Sequence, residues 1–189
     1  KTPDLIVNKN MFDFVDGEPG IKKLLQGFID GRPKWWIWMQ VVSNIRKILS
    51  LINNQLGINP GNDFETWVVE NMARNGIKTT KDLLEYRSHI PALTCRDGRD
   101  TSDLKPRVVM IASDITTQTK VNFPEMASLY WQDPDSVAPA VFVRASMSVP
   151  IFFYPVLAEK LPTGDAAKAR WAEMVSYEGE IPPKVAFVD

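Results

Sequence analysis

One cysteine and one histidine, Cys95 and His89, are all that 189 residues contain of either type. A lone cysteine forms no internal disulfide and no CxxC pair, and it fits a reducing compartment. A lone histidine removes every multi-histidine metal site and leaves one candidate base for a Ser-His-Asp triad. Positive charge is not in excess either. Lys and Arg number 22 against 23 Asp and Glu, a formal net charge of -1, so nucleic-acid binding has no electrostatic basis. Glycine-rich phosphate loops are missing. Glycines four apart occur at Gly27/Gly31 and Gly57/Gly61, and neither pair brackets a serine, so there is no GxSxG nucleophile elbow. The opening "KTPDLIVNKN" lacks the apolar core of a secretory signal. The longest apolar stretch is broken by Asn44, Arg46, Lys47, Asn53 and Asn54 and does not read as a membrane span.

What is present is a globular composition, 44% hydrophobic and 24% charged, enough for one sizeable core and short for two. The chain starts without Met and stops at "KVAFVD", where an apolar strand should turn, so it reads as an excerpt of a longer polypeptide. Residues 1–90 read as mainly helical. "EPGIKKLLQGFI" places Ile21, Leu24, Leu25 and Phe28 on one helical face, with Gly31 and Pro33 as stops. "KWWIWMQVVSNIRKILSLINNQLG" predicts a longer helix whose apolar stripe runs Trp38, Val41, Val42, Ile45, Ile48, Leu49, Ile52. "GNDFETWVVENMARNG" predicts a helix with Asp63 as N-cap, Phe64, Trp67, Val68 and Met72 buried, and Gly76 closing it. "TTKDLLEYR" reads as a short capped helix.

After the polar, breaker-rich "CRDGRDTSDLKP", residues 105–189 read as an α/β core. "RVVMIAS" predicts a strand buried on both faces and "TKVNFPEM" a second extended segment. "DPDSVAPAVFVRASMSVP" predicts a helix to about Met147, and "KVAFVD" another strand. Strands interleaved with helices imply α/β layers.

The chemistry in these segments is thin. His89, beside Pro91, reads as a surface or structural residue, and Cys95, near Arg96, as a bystander thiol. Ser146 and Ser148 read as hydroxyls satisfied within or just past their helix, not as nucleophiles. Arg144 reads as a structural hydrogen-bonder with a phosphate clamp as the alternative, and Asp114 as the residue fixing the turn after its strand. Trp35, Trp36 and Trp38 read as core packing. The alternative places this amphipathic stretch, flanked by Lys34, Arg46 and Lys47, at a bilayer interface. On these grounds alone the chain is an α/β domain without a visible active site.

Three segments taken together resemble a known family. "VVMIASDITTQTKVNFPE" (Val108 to Glu125), "VRASMSVPIFFYPV" (Val143 to Val156) and "VAFVD" (Val185 to Asp189) are similar, in order, to landmarks of the patatin-like phospholipases. Those landmarks are a strand ending in "ATDLTTG", a helix ending in "VRASMSIPGFFxPV" and a strand entering "DGG". Arg144, Ala145, Ser146, Met147, Ser148 and Pro150 all match in the middle block. "GNDFETWVVENMARNGIKTTKDLL" resembles the helical segment upstream of the first strand.

The resemblance implies a patatin-like three-layer α/β sandwich, present in part, with a helical N-terminal portion. It implies hydrolysis of lipid acyl esters by a Ser-Asp dyad, without metal or cofactor. Asp189 is the one dyad member that carries over, as the base. The elbow serine, the oxyanion glycine loop and the "GG" after the aspartate are absent from these residues, which an excerpt beginning after them explains. Ile151 stands where a small residue is common. The implied partners are a lipid acyl-ester substrate and a membrane touched peripherally; the implied location is cytoplasmic or peripheral membrane. A non-catalytic lipid-binding or regulatory module with the same shell is the alternative.

Overall fold

Helix α1, Pro19–Ile29, starts at a proline, whose missing N–H costs nothing in the first turn. The computed structural model describes residues 11–91, 95–99 and 107–189, so Lys1–Asn10, most of the polar connection and the Phe28 side chain lie outside the described residues. Ile21 and Leu24 are buried and Leu25 is half-buried, as their spacing predicts. Helix α2, Lys34–Gln55, runs for 22 residues and ends at Leu56 in the left-handed conformation.

The expected core role of α2 is overturned. None of its residues is buried. Its stripe splits instead: Val41, Ile48 and Ile52 are half-buried, while Trp38, Val42, Ile45 and Leu49 face outward. Trp35 is also exposed and only Trp36 is half-covered, so the tryptophan cluster is not core. No helix among the described residues is long and apolar enough to cross a membrane.

Strand β1, Gly57–Asn59, leads into α3, Asn62–Ala73, and then α4, Thr80–Ser88. On α3 Val68 is buried and Phe64, Trp67 and Met72 are half-buried. The rings of Phe64 and Trp67 close on Phe14 at 5.2 and 5.3 Å. Asp63 is not the cap of α3. The N-cap is Gly61, and the carboxylate of Asp16 accepts from the backbone N–H groups of Gly61, Asn62 and Asp63. Helix α4 carries a full capping box, with Thr79 and Asp82 each bonding the other's backbone N–H.

The remaining elements are β2 (Met110–Asp114), β3 (Thr119–Phe123), α5 (Pro139–Ser146), β4 (Ile151–Phe153), β5 (Val156–Glu159), α6 (Asp165–Val175) and β6 (Lys184–Val188). Strands β1 and β4 form a parallel pair. The other four form a sheet of order β3-β2-β6-β5 in which every neighbour is antiparallel. The chain is therefore mixed α/β, with six α-helices and two small sheets among the described residues.

Strand β2 is not buried on both faces. Val108 and Val109 lie before it and are exposed, and within it Met110, Ala112 and Asp114 are buried while Ile111 and Ser113 are not. The inner face of the sheet meets α5, α6 and the turn at Ala127–Leu129 through an aromatic core. Phe123 stacks on Phe142 at 4.6 Å, and Tyr130 packs edge-on against Phe187 and Trp171. Burial pushes the Tyr130 hydroxyl well above its ordinary pKa, and the negative charge of Asp114 adds to the effect. The outer face is open: Ile111 is 48% exposed and Leu157 47%.

Candidate functional site

Strand β6 is fastened at two points by the segments that carry the sequence motifs. At its midpoint, the Ala186 carbonyl accepts from Ile115 N–H at 3.0 Å, and Ala186 N–H donates to Thr116 Oγ1 at 3.1 Å. Both partners belong to the turn after β2. Asp114, buried, shapes that turn: its carboxylate accepts from the N–H of Thr116 (2.8 Å) and Thr117 (3.2 Å) and from the Thr117 hydroxyl (2.6 Å). This is the turn-fixing role expected of it. Just past its last residue, Asp189 N–H donates to the Ser148 carbonyl at 3.0 Å, which sets Asp189 beside the turn after α5. The Asp189 side chain is exposed.

That turn is held from inside by Arg144, which is buried. Its guanidinium donates to Ser148 Oγ at 2.6 Å, to the Tyr154 carbonyl at 3.0 Å and to the Pro60 carbonyl. It also lies 5.0 Å from the centre of the Phe153 ring. Burial pulls the guanidinium below its ordinary pKa, and the negative charges of Glu65 and Asp16 act against this. Three of its hydrogen bonds go to neutral groups inside the fold, the structural role expected of Arg144 rather than that of a phosphate clamp. Gly61 makes room for it, since a Cβ at that position would collide with the guanidinium.

Ser148 is buried; its hydroxyl donates to the Arg144 carbonyl at 2.8 Å while accepting from the guanidinium. Ser146 is half-buried in the last residue of α5. Neither stands on a strand-to-helix elbow, as expected. His89 caps the C-terminus of α4, is exposed, and its Nδ1 lies 2.8 Å from the Glu85 carbonyl. Cys95 is half-buried in the polar connection. Among the described residues, no hydrogen bond ties either of them to β6.

The arrangement therefore offers one exposed carboxylate at a strand end, on a rigidly braced turn. It can accept a proton from a nucleophile delivered by another segment. No cluster of three or more His, Cys, Asp or Glu among the described residues could hold a metal. Reading the sequence missed the contributions of Pro60, Gly61 and Asp16. Their partners lie about forty to eighty residues away, beyond the reach of local spacing, as Arg144 to Pro60 (84 apart) and Asp16 to Gly61 (45 apart) show.

No family model matches the chain, and no solved structure matches it. Over 112 residues, 59% of its length, the chain is 30% identical to the uncharacterized protein YqhO of Bacillus subtilis (strain 168). The match covers 31% of that protein, so the chain spans well under half the length of the relative to which it is similar.

Proposed function

We propose that this chain is part of a serine lipid acyl hydrolase of the patatin-like kind, with Asp189 as the base of a Ser-Asp dyad and the serine outside these 189 residues. The observation that carries the proposal is the double fastening of β6. Segments around Asp114 and Ser148, distant in sequence, hold one strand whose end presents Asp189. A serine hydroxyl is a weak nucleophile until a base takes its proton. In this mechanism Oγ attacks the acyl carbonyl as its proton passes to the Asp189 carboxylate, which returns it to the departing alcohol. Water then repeats the sequence to release the fatty acid. Backbone donors for the oxyanion would also come from outside the chain.

The three-layer sandwich belongs to the same proposal. The open face of the four-stranded sheet carries Ile111 on β2 and, paired on β5 and β6, Leu157 and Ala186, apolar side chains that a further layer would cover. A substrate acyl chain and no metal or cofactor complete the reading.

The test is Asp189→Asn in the full-length protein. Its tie to Ser148 runs through the backbone, which the amide retains, so the melting temperature should not change. An amide cannot accept the serine proton, and turnover of a lipid ester should fall by about 10²–10⁴-fold. His89→Ala should have little effect. Near-wild-type turnover by Asp189→Asn removes the dyad assignment, and no turnover by the wild-type full-length protein favours a lipid-binding module with the same shell.

A further inference from the structure

We infer that the α1–α2 hairpin docks on an anionic phospholipid bilayer, with the exposed stripe of α2 entering the interface. The stripe is Trp35, Trp38, Met39, Val42, Ile45 and Leu49, on successive turns of one side, all exposed; Trp38 reaches 67%. The other side, through Trp36, Gln40 and Asn44, is half-buried, and a Cβ added at Gly20 or Gly27 of α1 would run into Asn44 or Trp36. The two helices are thus one closely packed unit with a single apolar side turned outward.

Charge selects the occupant. Pro19 to Gln55 holds six basic residues, Lys22, Lys23, Arg32, Lys34, Arg46 and Lys47, against one acid, Asp30: net +5 in a chain whose total is -1. A cavity of about 350 Å³ on this unit is lined by Lys22, Lys23, Arg32, Trp36 and the single acid Asp30, with the Arg32 guanidinium 5.9 Å from the centre of the Trp36 ring. Lys47 is engaged by Glu18 at 2.9 Å, and Lys34 is exposed at the start of α2. Arg46 stands on the stripe between Val42 and Leu49, where its apolar stem can lie along the interface and carry the charge out to a headgroup. A second copy of the chain would bring +5 against +5. A bilayer surface rich in anionic headgroups complements the charge, and its boundary region is where tryptophan rings settle. This inference concerns attachment and does not depend on Asp189.

The experiment is vesicle cosedimentation of the full-length protein, with phosphatidylcholine alone and with phosphatidylcholine plus phosphatidylglycerol. Binding should require phosphatidylglycerol and weaken as salt rises. Trp35→Ser/Trp38→Ser should lose on the order of tenfold in binding with an unchanged melting temperature. Lys22→Glu/Lys23→Glu, a surface change, should lose at least about tenfold on the anionic vesicles. Three results overturn the inference: no binding by the wild type, binding unaltered in the charge-reversed variant, or a tryptophan variant that unfolds or dissociates a dimer. No turnover is read, so the outcome stands whichever way the Asp189 experiment falls.

Discussion

Ile151, between Pro150 and the rest of β4, holds a φ of 71°. A β-branched residue there brings its Cβ against its own backbone, which costs roughly 1–2 kcal/mol and explains why a small residue suits the position. Its side chain is exposed, so little packing would be lost by removing it. Ile151→Gly should therefore stabilise the chain by about 0.5–1 kcal/mol, the relieved strain less the entropy glycine loses on folding. The urea midpoint measures this, and a lower midpoint would mean that the side chain is held by contacts not evident here. Pro150 was legible in the sequence as a stop because its ring rules out a helical continuation. The left-handed residue after it was not, because isoleucine signals strand. Arg144 was legible as a structural donor, yet its acceptors, the carbonyls of Pro60 and Tyr154, exist only after β1 and β4 have paired.

At the scale of an element, periodicity states which side of a helix is apolar and not what that side touches. On α1 the rule held, with Ile21 and Leu24 buried. On α2 the same kind of stripe faces outward, because α1 covers the other flank through Trp36 and Asn44. An apolar run is equally ambiguous in a strand: once β2 begins at Met110, "RVVMIAS" puts Met110 and Ala112 on one face and Ile111 and Ser113 on the other, and only the first face is covered. The capping box of α4 was legible because it is local, Thr79 and Asp82 standing three apart. It also carries a pH dependence. Backbone N–H bonds from Lys78 and Thr79 hold the Asp82 carboxyl below the ordinary carboxylate range. A depressed folded-state pKa stabilises above the unfolded value and is lost as pH falls through the folded one. The protection factors of the amides at Lys78, Thr79 and the first turn of α4, with the intrinsic pH dependence of exchange divided out, should therefore fall below about pH 4. In Asp82→Asn that acid response should vanish; its persistence would place the sensitive carboxylate elsewhere.

Across the whole molecule, the order of helices and strands follows the sequence, whereas the neighbours in the sheet do not. Nothing in "VVMIAS" or "KVAFV" specifies that β2 lies antiparallel to β6 with Ser113 opposite Val188. That pairing is decided by the shared aromatic core beneath, where Phe187 meets Phe123 and Tyr130. The same core leaves one face of the sheet uncovered. Ser148, the nearest serine along the backbone bond to Asp189, already commits its hydroxyl proton to the Arg144 carbonyl and its lone pair to the guanidinium, in a site closed to solvent. An attack by Ser148 would need that clamp to open, taking one of three acceptors from a buried guanidinium, at a cost of about 1.5–3 kcal/mol. These 189 residues alone should therefore show no turnover of a short-chain p-nitrophenyl ester above the buffer rate. Adding the remainder of the full-length protein should restore it. Clear turnover by the 189 residues, abolished by Ser146→Ala or Ser148→Ala, would move the nucleophile into this chain and refute its assignment to another segment.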